Sequence, residues 1–253
     1  MRIFFAGLFN CHIKNMEELI LEYKPKYILD SFYYKGDCER IVKLVERDNF
    51  LLDSGAFTFM SGAKTTKKEM FNYINQYIDF INKHDVKHFI EIDVESIFGM
   101  KQVEAWRRHI EQSTGKKTIP VWHINRGIEY WKSMIENYDY VAIGGQVQKV
   151  FNLKKCDYEN FKKMIRYAKS KGVKVHGLGF TKTNEISEYP YFSVDSSTWK
   201  MGAILGRQIH KFNGKKIIVK RLDNNKKANF RALVKNNFIE WCKYQQYMDR
   251  GIA

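Results

Sequence analysis

The sequence predicts an α/β protein, a (β/α)8 barrel with a C-terminal basic β-hairpin and helix. Eight short apolar runs recur along the 253 residues, helical patterns fill most of the gaps between them, and residues 206–253 depart from that rhythm. Barrels built from eight strand–helix units commonly have this length. We therefore expect a single domain, residues 1–253, in which 206–253 form a C-terminal extension.

The apolar runs are short and bounded by polar turn residues, which is typical of buried parallel strands. They cover residues 2–8, 27–34, 50–57, 88–94, 118–123, 140–145, 173–179 and 191–197. Helices are expected at 16–24, 66–83, 101–113, 127–137 and 158–171. Thr66 and Glu69 form a capping-box pattern at the start of the second helix. A doubly wound open sheet is the alternative, but eight evenly spaced units favour closure.

The end of the chain predicts a β-hairpin followed by a helix over about 226–248. Asn213-Gly214, the strongest two-residue hairpin signal, separates two strand-like runs at 206–212 and 215–222. The arms of the hairpin are rich in positive charge, carried by Arg207, Lys211, Lys215, Lys216, Lys220 and Arg221. Such residues suit contact with nucleic-acid phosphates, or they protect a solvated edge strand from aggregation.

Composition limits the classes of partner. The chain has 43 Lys and Arg against 28 Asp and Glu, a net charge of +15, which favours a polyanion such as nucleic acid. The alternative is that the lysines only keep the protein soluble. No run of 18 apolar residues and no signal peptide is visible, so we expect no membrane partner and a cytoplasmic location.

The four cysteines, Cys11, Cys38, Cys156 and Cys242, are far apart and form no CxxC or CxC pair. Neither a structural zinc site nor a disulfide framework is expected from this spacing. The sequence therefore predicts no cofactor.

Polar side chains and glycines follow nearly every predicted strand, at the end where barrels of this type carry their active sites. They are Asp53, Ser54, Phe57, Asp93, Trp122, His123, Gly144, Gly145, Gln146, His176 and Asp195. Asp53 and Asp195 are the most informative, because each ends an apolar run and lies among small residues, in FLLDSGAF and YFSVDSSTW. Two carboxylates in a tight pocket predict an enzyme in which both serve one reaction centre.

Each of these residues also has a purely structural interpretation. Asp53 could be a helix N-cap, and either Glu91 or Asp93 could be an internal ion-pair partner. His123 and His176 could be satisfied core histidines. The aromatic residues could serve packing, and the paired glycines could mark a turn.

The ordered set of DSGAF (53–57), Asp93, Gly144-Gly145, HGLG (176–179) and Asp195 resembles the tRNA-guanine transglycosylase family over roughly residues 50–200. Members of that family are (β/α)8 barrels that exchange guanine in a nucleic acid for a 7-deazaguanine. The resemblance implies a glycosyltransferase of the pentosyltransferase type. Its partners would be a nucleic acid and a free base such as 7-cyano-7-deazaguanine.

The resemblance also implies roles for individual residues. Asp195 would be the nucleophile at the anomeric carbon, and Asp53 the acid/base for the departing and incoming bases. Asp93 would accept hydrogen bonds from the base, and Phe57 would stack on one face of it with the segment near His176 on the other. The remaining base-binding residues would be Ser54, Gly144, Gly145, Gln146, Trp122 and His123. The basic hairpin, with Lys226 and Lys227, would grip phosphates.

Two departures separate the chain from the tRNA enzymes. It has no C-x-C-x2-C zinc motif, and its strand-eight run is SVDSSTW rather than a Cys-bearing, Arg-rich one. Both point to the phage-type DNA-guanine transglycosylases, which would act in the host cytoplasm, with tRNA as the alternative substrate.

Two other classes stay open. A metal-dependent hydrolase could use His123, His176 and Asp195 as ligands, although His12 is the only histidine near strand one. A non-catalytic nucleic-acid binder is the third class.

Overall fold

The structure, a computed structural model, describes residues 1–11, 13–62, 65–144, 155–180, 186–223 and 229–251. It is α/β, with eight parallel strands assigned to one sheet and helices after most of them, which is consistent with a TIM-like fold. The strands are β1 Arg2–Ala6, β2 Ile28–Ser31, β3 Phe50–Asp53, β4 His88–Phe89, β5 Val121–Trp122, β6 Tyr140–Ile143, β7 Lys174–Gly177 and β8 Ser193–Ser196.

The described helices are α1 Met16–Tyr23, α2 Lys35–Ile41, α3 Ala56–Met60, α4 Lys67–His84, α5 Glu95–Phe98, α6 Met100–Thr114, α7 Gly127–Asn137, α8 Lys155–Ser170, α9 Thr198–Gly206 and α10 Phe230–Asp249. Two further strands, β9 Gln208–Phe212 and β10 Ile217–Arg221, form a separate sheet. No helix in the described ranges is both long and apolar enough to cross a bilayer.

The chain divides into two compact units. The terminal unit comprises residues 1–27 and 143–253, and the central unit comprises residues 28–142. Each unit contains buried aromatic side chains.

In the terminal unit, β8 pairs in parallel with both β1 and β7. Helix α10 packs against β1, where the buried Gln245 side chain donates to the carbonyls of Ile3 and Tyr27 at 2.6 and 2.9 Å. Phe238 of the same helix packs on Phe5 with ring centroids 5.3 Å apart. These contacts tie the last helix of the chain to its first strand.

In the central unit, β3 pairs in parallel with β2 and β4. The predicted helix over 66–83 is confirmed as α4, and its capping box is formed because the Thr66 side chain accepts from the Glu69 N–H while the Glu69 side chain accepts from the Thr66 N–H. The helix buries one apolar face against the sheet. From that face, the Tyr77 hydroxyl donates to the Ile90 carbonyl at 2.9 Å.

The run at 88–94 is regular strand for only two residues, followed by an isolated bridge between Ile90 and Ile119. The prediction of a full strand there was too long, although the Ile90 and Glu91 N–H groups still donate to the carbonyls of Leu52 and Ile119. Beyond them, the Asp93 carboxylate contacts His123. Helices α2, α3, α5 and α9 were not predicted, since they are short and carry little of the periodicity that marks an amphipathic helix.

Strands β9 and β10 pair antiparallel, with Phe212 opposite Ile217. The connection is residues 213–216 rather than the two-residue turn that Asn-Gly predicts. The reason lies in the Asn213 side chain, whose oxygen accepts from the N–H groups of Lys215 and Lys216 at 3.1 and 2.9 Å. Gly214 adopts φ +92°, a conformation that side chains rarely tolerate.

Candidate active site

Asp195 lies at the end of β8, where one of its carboxylate oxygens is held by two donors. The Gly179 N–H donates to Oδ1 at 2.6 Å, and His176 Nε2 lies 3.2 Å from the same atom. Among the described residues, Oδ2 accepts no hydrogen bond. The carboxylate is therefore oriented through Oδ1.

His176 orients the Asp195 carboxylate through a hydrogen bond. The ring has no accessible surface, and its Nδ1 lies 2.6 Å from Ser193 Oγ. Both contacts are satisfied when the Ser193 hydroxyl donates to Nδ1 and Nε2–H donates to Asp195. The sequence predicted this histidine beside the base, whereas the structure brings it under the carboxylate, where it orients Asp195.

A buried lysine braces the segment that follows β1. Lys200, on α9, donates from Nζ to the carbonyls of Gly7 and Asn10 at 2.7 and 2.9 Å. A Cβ atom at Gly7 would lie 2.5 Å from this ammonium group, so the lysine occupies the space that a side chain there would need. Sequence reasoning missed Lys200 because a lysine is normally exposed and helix α9 was not predicted.

Asp53 ends β3 and shapes the turn that follows it. Its Oδ2 accepts from the Gly55 N–H at 3.0 Å. Gly55 adopts φ +78°, and a Cβ atom there would lie 2.8 Å from the Tyr73 hydroxyl and 2.9 Å from Tyr33 Cβ. The glycine of the DSGAF run is thus required both by backbone conformation and by lack of space.

The charge of Asp53 acts on two buried groups near it. Burial raises the pKa of the Cys38 thiol, and the charges of Asp30 and Asp53 raise it further. Burial and the Asp53 charge likewise raise the pKa of the Tyr73 hydroxyl, which donates to the Ser54 carbonyl at 2.8 Å. Both groups therefore stay protonated beside the carboxylate.

Asp30 is a buried carboxylate in the same part of the central unit, whereas Asp53 is half-buried. It lies in β2, is 3% exposed, and accepts from the Ser31 N–H at 2.8 Å. Asp30 was not among the predicted site residues, although YILDS (27–31) repeats the apolar-Asp-Ser pattern of FLLDS (50–54). That repeated pattern was the signal that could have found it.

The two neighbours of Asp53 that were predicted to touch the base differ in accessibility. Phe57 is 61% exposed at the start of α3, so its ring is open to a planar ligand. Ser54 has no accessible surface, and its hydroxyl accepts from the Ala56 N–H at 3.4 Å. Ser54 therefore supports the turn in this structure.

Asp93 and His123 form a buried pair, with His123 Nε2 2.7 Å from Asp93 Oδ2. Glu95 lies 3.9 Å from the same ring nitrogen. Burial alone would lower the pKa of His123, but the hydrogen bond and charge of Asp93, aided by Glu95, raise it above its ordinary value. The imidazolium form is therefore favoured next to Asp93.

A larger buried ion-pair network adjoins this pair. Glu91 lies 2.7 Å from Arg126 and 3.2 Å from Arg107, and Arg126 also pairs with Glu95 at 2.9 Å. Burial opposes the charge of Arg126, yet Glu91 and Glu95 raise its pKa. Both acidic residues of the predicted strand are thus internal ion-pair partners, Glu91 of the two arginines and Asp93 of His123. Together with Asp93 and a protonated His123, the network balances three carboxylates against three cations.

The remaining predicted base-binding residues divide into buried and undescribed ones. Trp122 is 4% exposed, and its indole N–H donates to the Gly127 carbonyl at 2.7 Å. Gly144 is buried at the end of β6. Gly145 and Gln146 lie outside the described residues, as do Lys226 and Lys227.

The cations of the hairpin lie mostly on its exposed surface. Lys211, Lys215, Lys216, Lys220 and Arg221 are exposed, and Arg207 is half-buried. Between the hairpin and α10, the Trp241 indole N–H donates to His210 Nδ1 at 2.8 Å. Burial lowers the pKa of His210 to about 4. The hairpin thus packs against α10 through the neutral His210, and most of its Lys and Arg side chains are exposed to solvent.

Within the described ranges, no group of three or more His, Cys, Asp and Glu side chains is arranged to hold a metal ion. No protein-family model and no curated protein matches the chain.

Proposed function

We propose that the protein is a glycosyltransferase that exchanges guanine in DNA for a 7-deazaguanine base, such as 7-cyano-7-deazaguanine, through a covalent bond between Asp195 and the sugar. The proposal includes closure of the eight strands into a (β/α)8 barrel. The observation that carries it is the state of Asp195, with one oxygen held by Gly179 and His176 and the other without a hydrogen bond among the described residues. That arrangement suits a nucleophile that must keep its orientation while one oxygen attacks.

In the first half-reaction, Asp195 Oδ2 forms a bond to C1′ as the bond between C1′ and guanine N9 breaks. The electron pair of the broken bond goes to the base, which takes a proton from the Asp53 carboxyl group. Cleavage builds positive charge on the sugar ring, and a carboxylate stabilises that charge before it bonds. Splitting the exchange in this way replaces one difficult step with two easier ones.

In the second half-reaction, the incoming base loses its N9 proton to the Asp53 carboxylate. Its N9 then bonds to C1′, and Asp195 leaves with the electrons of its ester bond. Asp53 donates a proton in the first half-reaction and regains one in the second, while the neighbouring Cys38 and Tyr73 groups stay protonated throughout.

The Asp93–His123 pair would recognise the base. A carboxylate can accept from the ring N–H and the amino group of guanine, and the contact with His123 Nε2 holds the Asp93 carboxylate in place. Phe57 is accessible enough to stack on the heterocycle. Both bases of the exchange carry the same hydrogen-bonding edge, so one site serves both.

The exposed cations of the hairpin would hold the phosphates that flank the reacting nucleotide. A paired base must leave the stack for its C1′ to be attacked, which costs a few kcal/mol. A DNA substrate would therefore be flipped or single-stranded. With tRNA as the substrate, the same chemistry would apply and only the nucleic acid would differ.

The decisive experiment is to trap the covalent intermediate. The protein is incubated with guanine-containing DNA without a free base and then denatured, and protein–DNA adducts are separated by gel and located by mass spectrometry. We expect an adduct on the peptide that contains Asp195, and none from Asp195→Ala protein that still binds DNA. Replacement of DNA by tRNA in a parallel arm identifies the nucleic acid.

The exposed Asp139 provides a matched control, since Asp139→Asn removes a carboxylate elsewhere on the protein. This variant should form the adduct at the wild-type level. Asp53→Asn should instead block release of the base. Exchange of labelled guanine that survives Asp195→Ala would show that the nucleophile is assigned wrongly.

A further inference from the structure

A cavity lies in the terminal unit at the opposite end of the strands from Asp195. It has a volume of about 490 Å³, and its walls include Lys174 at the first position of β7 and Phe192 just before β8. Asp195 follows Phe192 by three residues, which at ~3.3 Å per residue separates them by about 10 Å along the strand. The cavity is therefore distinct from the candidate active site.

Three cationic side chains line this cavity. The Arg2 guanidinium lies over the ring of Phe192 at 4.7 Å from its centroid, and Lys174 Nζ lies 5.2 Å from the same centroid. Lys169 is the third. None of the three forms an ion pair within the part of the chain that the structure describes. Two like charges thus share one aromatic ring.

Among the described residues, one carboxylate lines the cavity, and it is paired with groups outside the lining. Asp249 accepts from Lys26 Nζ at 2.6 Å and from the Tyr27 hydroxyl. Burial opposes ionisation of Asp249, but these two hydrogen bonds and the charges of Lys26 and Arg2 lower its pKa. Because Lys26 offsets the charge of Asp249, the cavity keeps an excess of positive charge.

We propose that this cavity binds a phosphate group, carried either by a free nucleotide or by a nucleic-acid strand. A guanidinium recognises phosphate oxygens in a fixed, two-pronged geometry, and neighbouring ammonium groups add charge. The volume lies within the range of small-molecule sites. A bound anion would relieve the repulsion between Arg2 and Lys174. The proposal does not depend on base exchange.

The test compares two double variants that remove the same charge. Arg2→Gln/Lys174→Gln alters the cavity, whereas Lys163→Gln/Arg166→Gln alters exposed residues of α8 that do not line it. Binding of AMP and of a short single-stranded oligodeoxynucleotide is measured by calorimetry at two salt concentrations. We expect the cavity variant to lose about tenfold in affinity for at least one probe, and the control variant to lose less than twofold.

The two probes distinguish the source of the phosphate. Loss of AMP binding identifies a nucleotide site, whereas loss confined to the oligonucleotide, with a smaller salt dependence, identifies a strand contact. Equal affinities of the two double variants for both probes would overturn the proposal. Asp195→Ala protein should retain wild-type affinity at this cavity. A failure of the cavity proposal is therefore distinguishable from a failure of the base-exchange proposal.

A second measurement uses the unmodified protein and does not depend on how the variants fold. Lysines are acetylated with and without saturating ligand, AMP or the oligodeoxynucleotide, and the sites are quantified by mass spectrometry. We expect ligand to protect Lys169 and Lys174 while Lys163 reacts at an unchanged rate. Unchanged acetylation of Lys169 and Lys174 would contradict the proposed site.

Discussion

His176 Nε2 lies 3.2 Å from Asp195 Oδ1, although the histidine has no accessible surface and belongs to the neighbouring strand. Removal of this donor leaves the Gly179 N–H as the one donor to Asp195 from the described part of the chain. We expect His176→Leu to lower the rate of base exchange by about 10²-fold through loss of orientation, with DNA affinity unchanged. Single-turnover rates and DNA titrations measure the two quantities. His176→Gln, which keeps a donor, should recover part of the rate, and equal rates for both variants would argue against an orienting role.

Gly55→Ala should destabilise the protein by about 3 kcal/mol, since alanine is strained at φ +78° and its Cβ would contact Tyr73 and Tyr33. The free energy of unfolding in urea measures this. Gly36→Ala is the matched control, because nothing lies within 4 Å of the new methyl group and alanine favours helix α2 by about 0.5 kcal/mol. Similar effects of the two substitutions would contradict the steric argument.

The stabilising contribution of protonated His123 should be lost at alkaline pH. Its pKa is raised in the folded state by Asp93, so the stabilisation is complete below the unfolded value of about 6.5 and is lost as pH rises through the folded pKa. The free energy of unfolding, measured from pH 6 to 9, should fall in the wild type and change less in His123→Gln. Asp93→Asn should flatten the same range, and an unaltered slope in both variants would refute the coupling.

His210 should have the opposite effect at acidic pH. Its folded pKa is lowered to about 4, and protonation of Nδ1 would remove the acceptor used by Trp241. Stability should therefore fall as pH drops from about 6.5 towards 4, by on the order of 3 kcal/mol. His210→Gln should lose most of this acid dependence in the same unfolding experiment. A wild-type slope in that variant would assign acid sensitivity to other groups.

The hairpin lysines should contribute to DNA affinity through phosphates alone. Lys215→Gln/Lys216→Gln should weaken binding of all sequences to a similar extent and reduce the slope of log affinity against log salt by about one for each phosphate that is no longer neutralised. Fluorescence anisotropy at several salt concentrations measures this. The control is Lys67→Gln/Lys68→Gln, an exposed pair at the start of α4, and an identical slope in both variants would count against the hairpin.

The sequence predicted the class of fold because that depends on period and spacing. Eight apolar runs at regular intervals contain the eight parallel strands, and the Thr66 capping box marks the start of α4. The boundary of the third run also placed Asp53 at the last position of its strand, as it is in β3. The pairing of Asp93 with His123 and of Asp195 with His176 needed coordinates, because each joins residues of different strands.

What the sequence did not reveal depends on interactions between distant residues. Arg126, which neutralises Glu91 and Glu95, carries no local signal that separates it from a surface arginine. Strands β4 and β5 are shorter than predicted. An apolar run in the sequence does not show at which residue the regular backbone pairing ends. The hairpin connection differed because an asparagine side chain can replace a backbone acceptor.

The ammonium group of Lys200 donates its hydrogen bonds to the carbonyls of Gly7 and Asn10. An amine enclosed in this way cannot reach an acylating reagent until the segment after β1 detaches from α9. The rate at which Lys200 is acylated in the intact protein would therefore measure how often that segment opens.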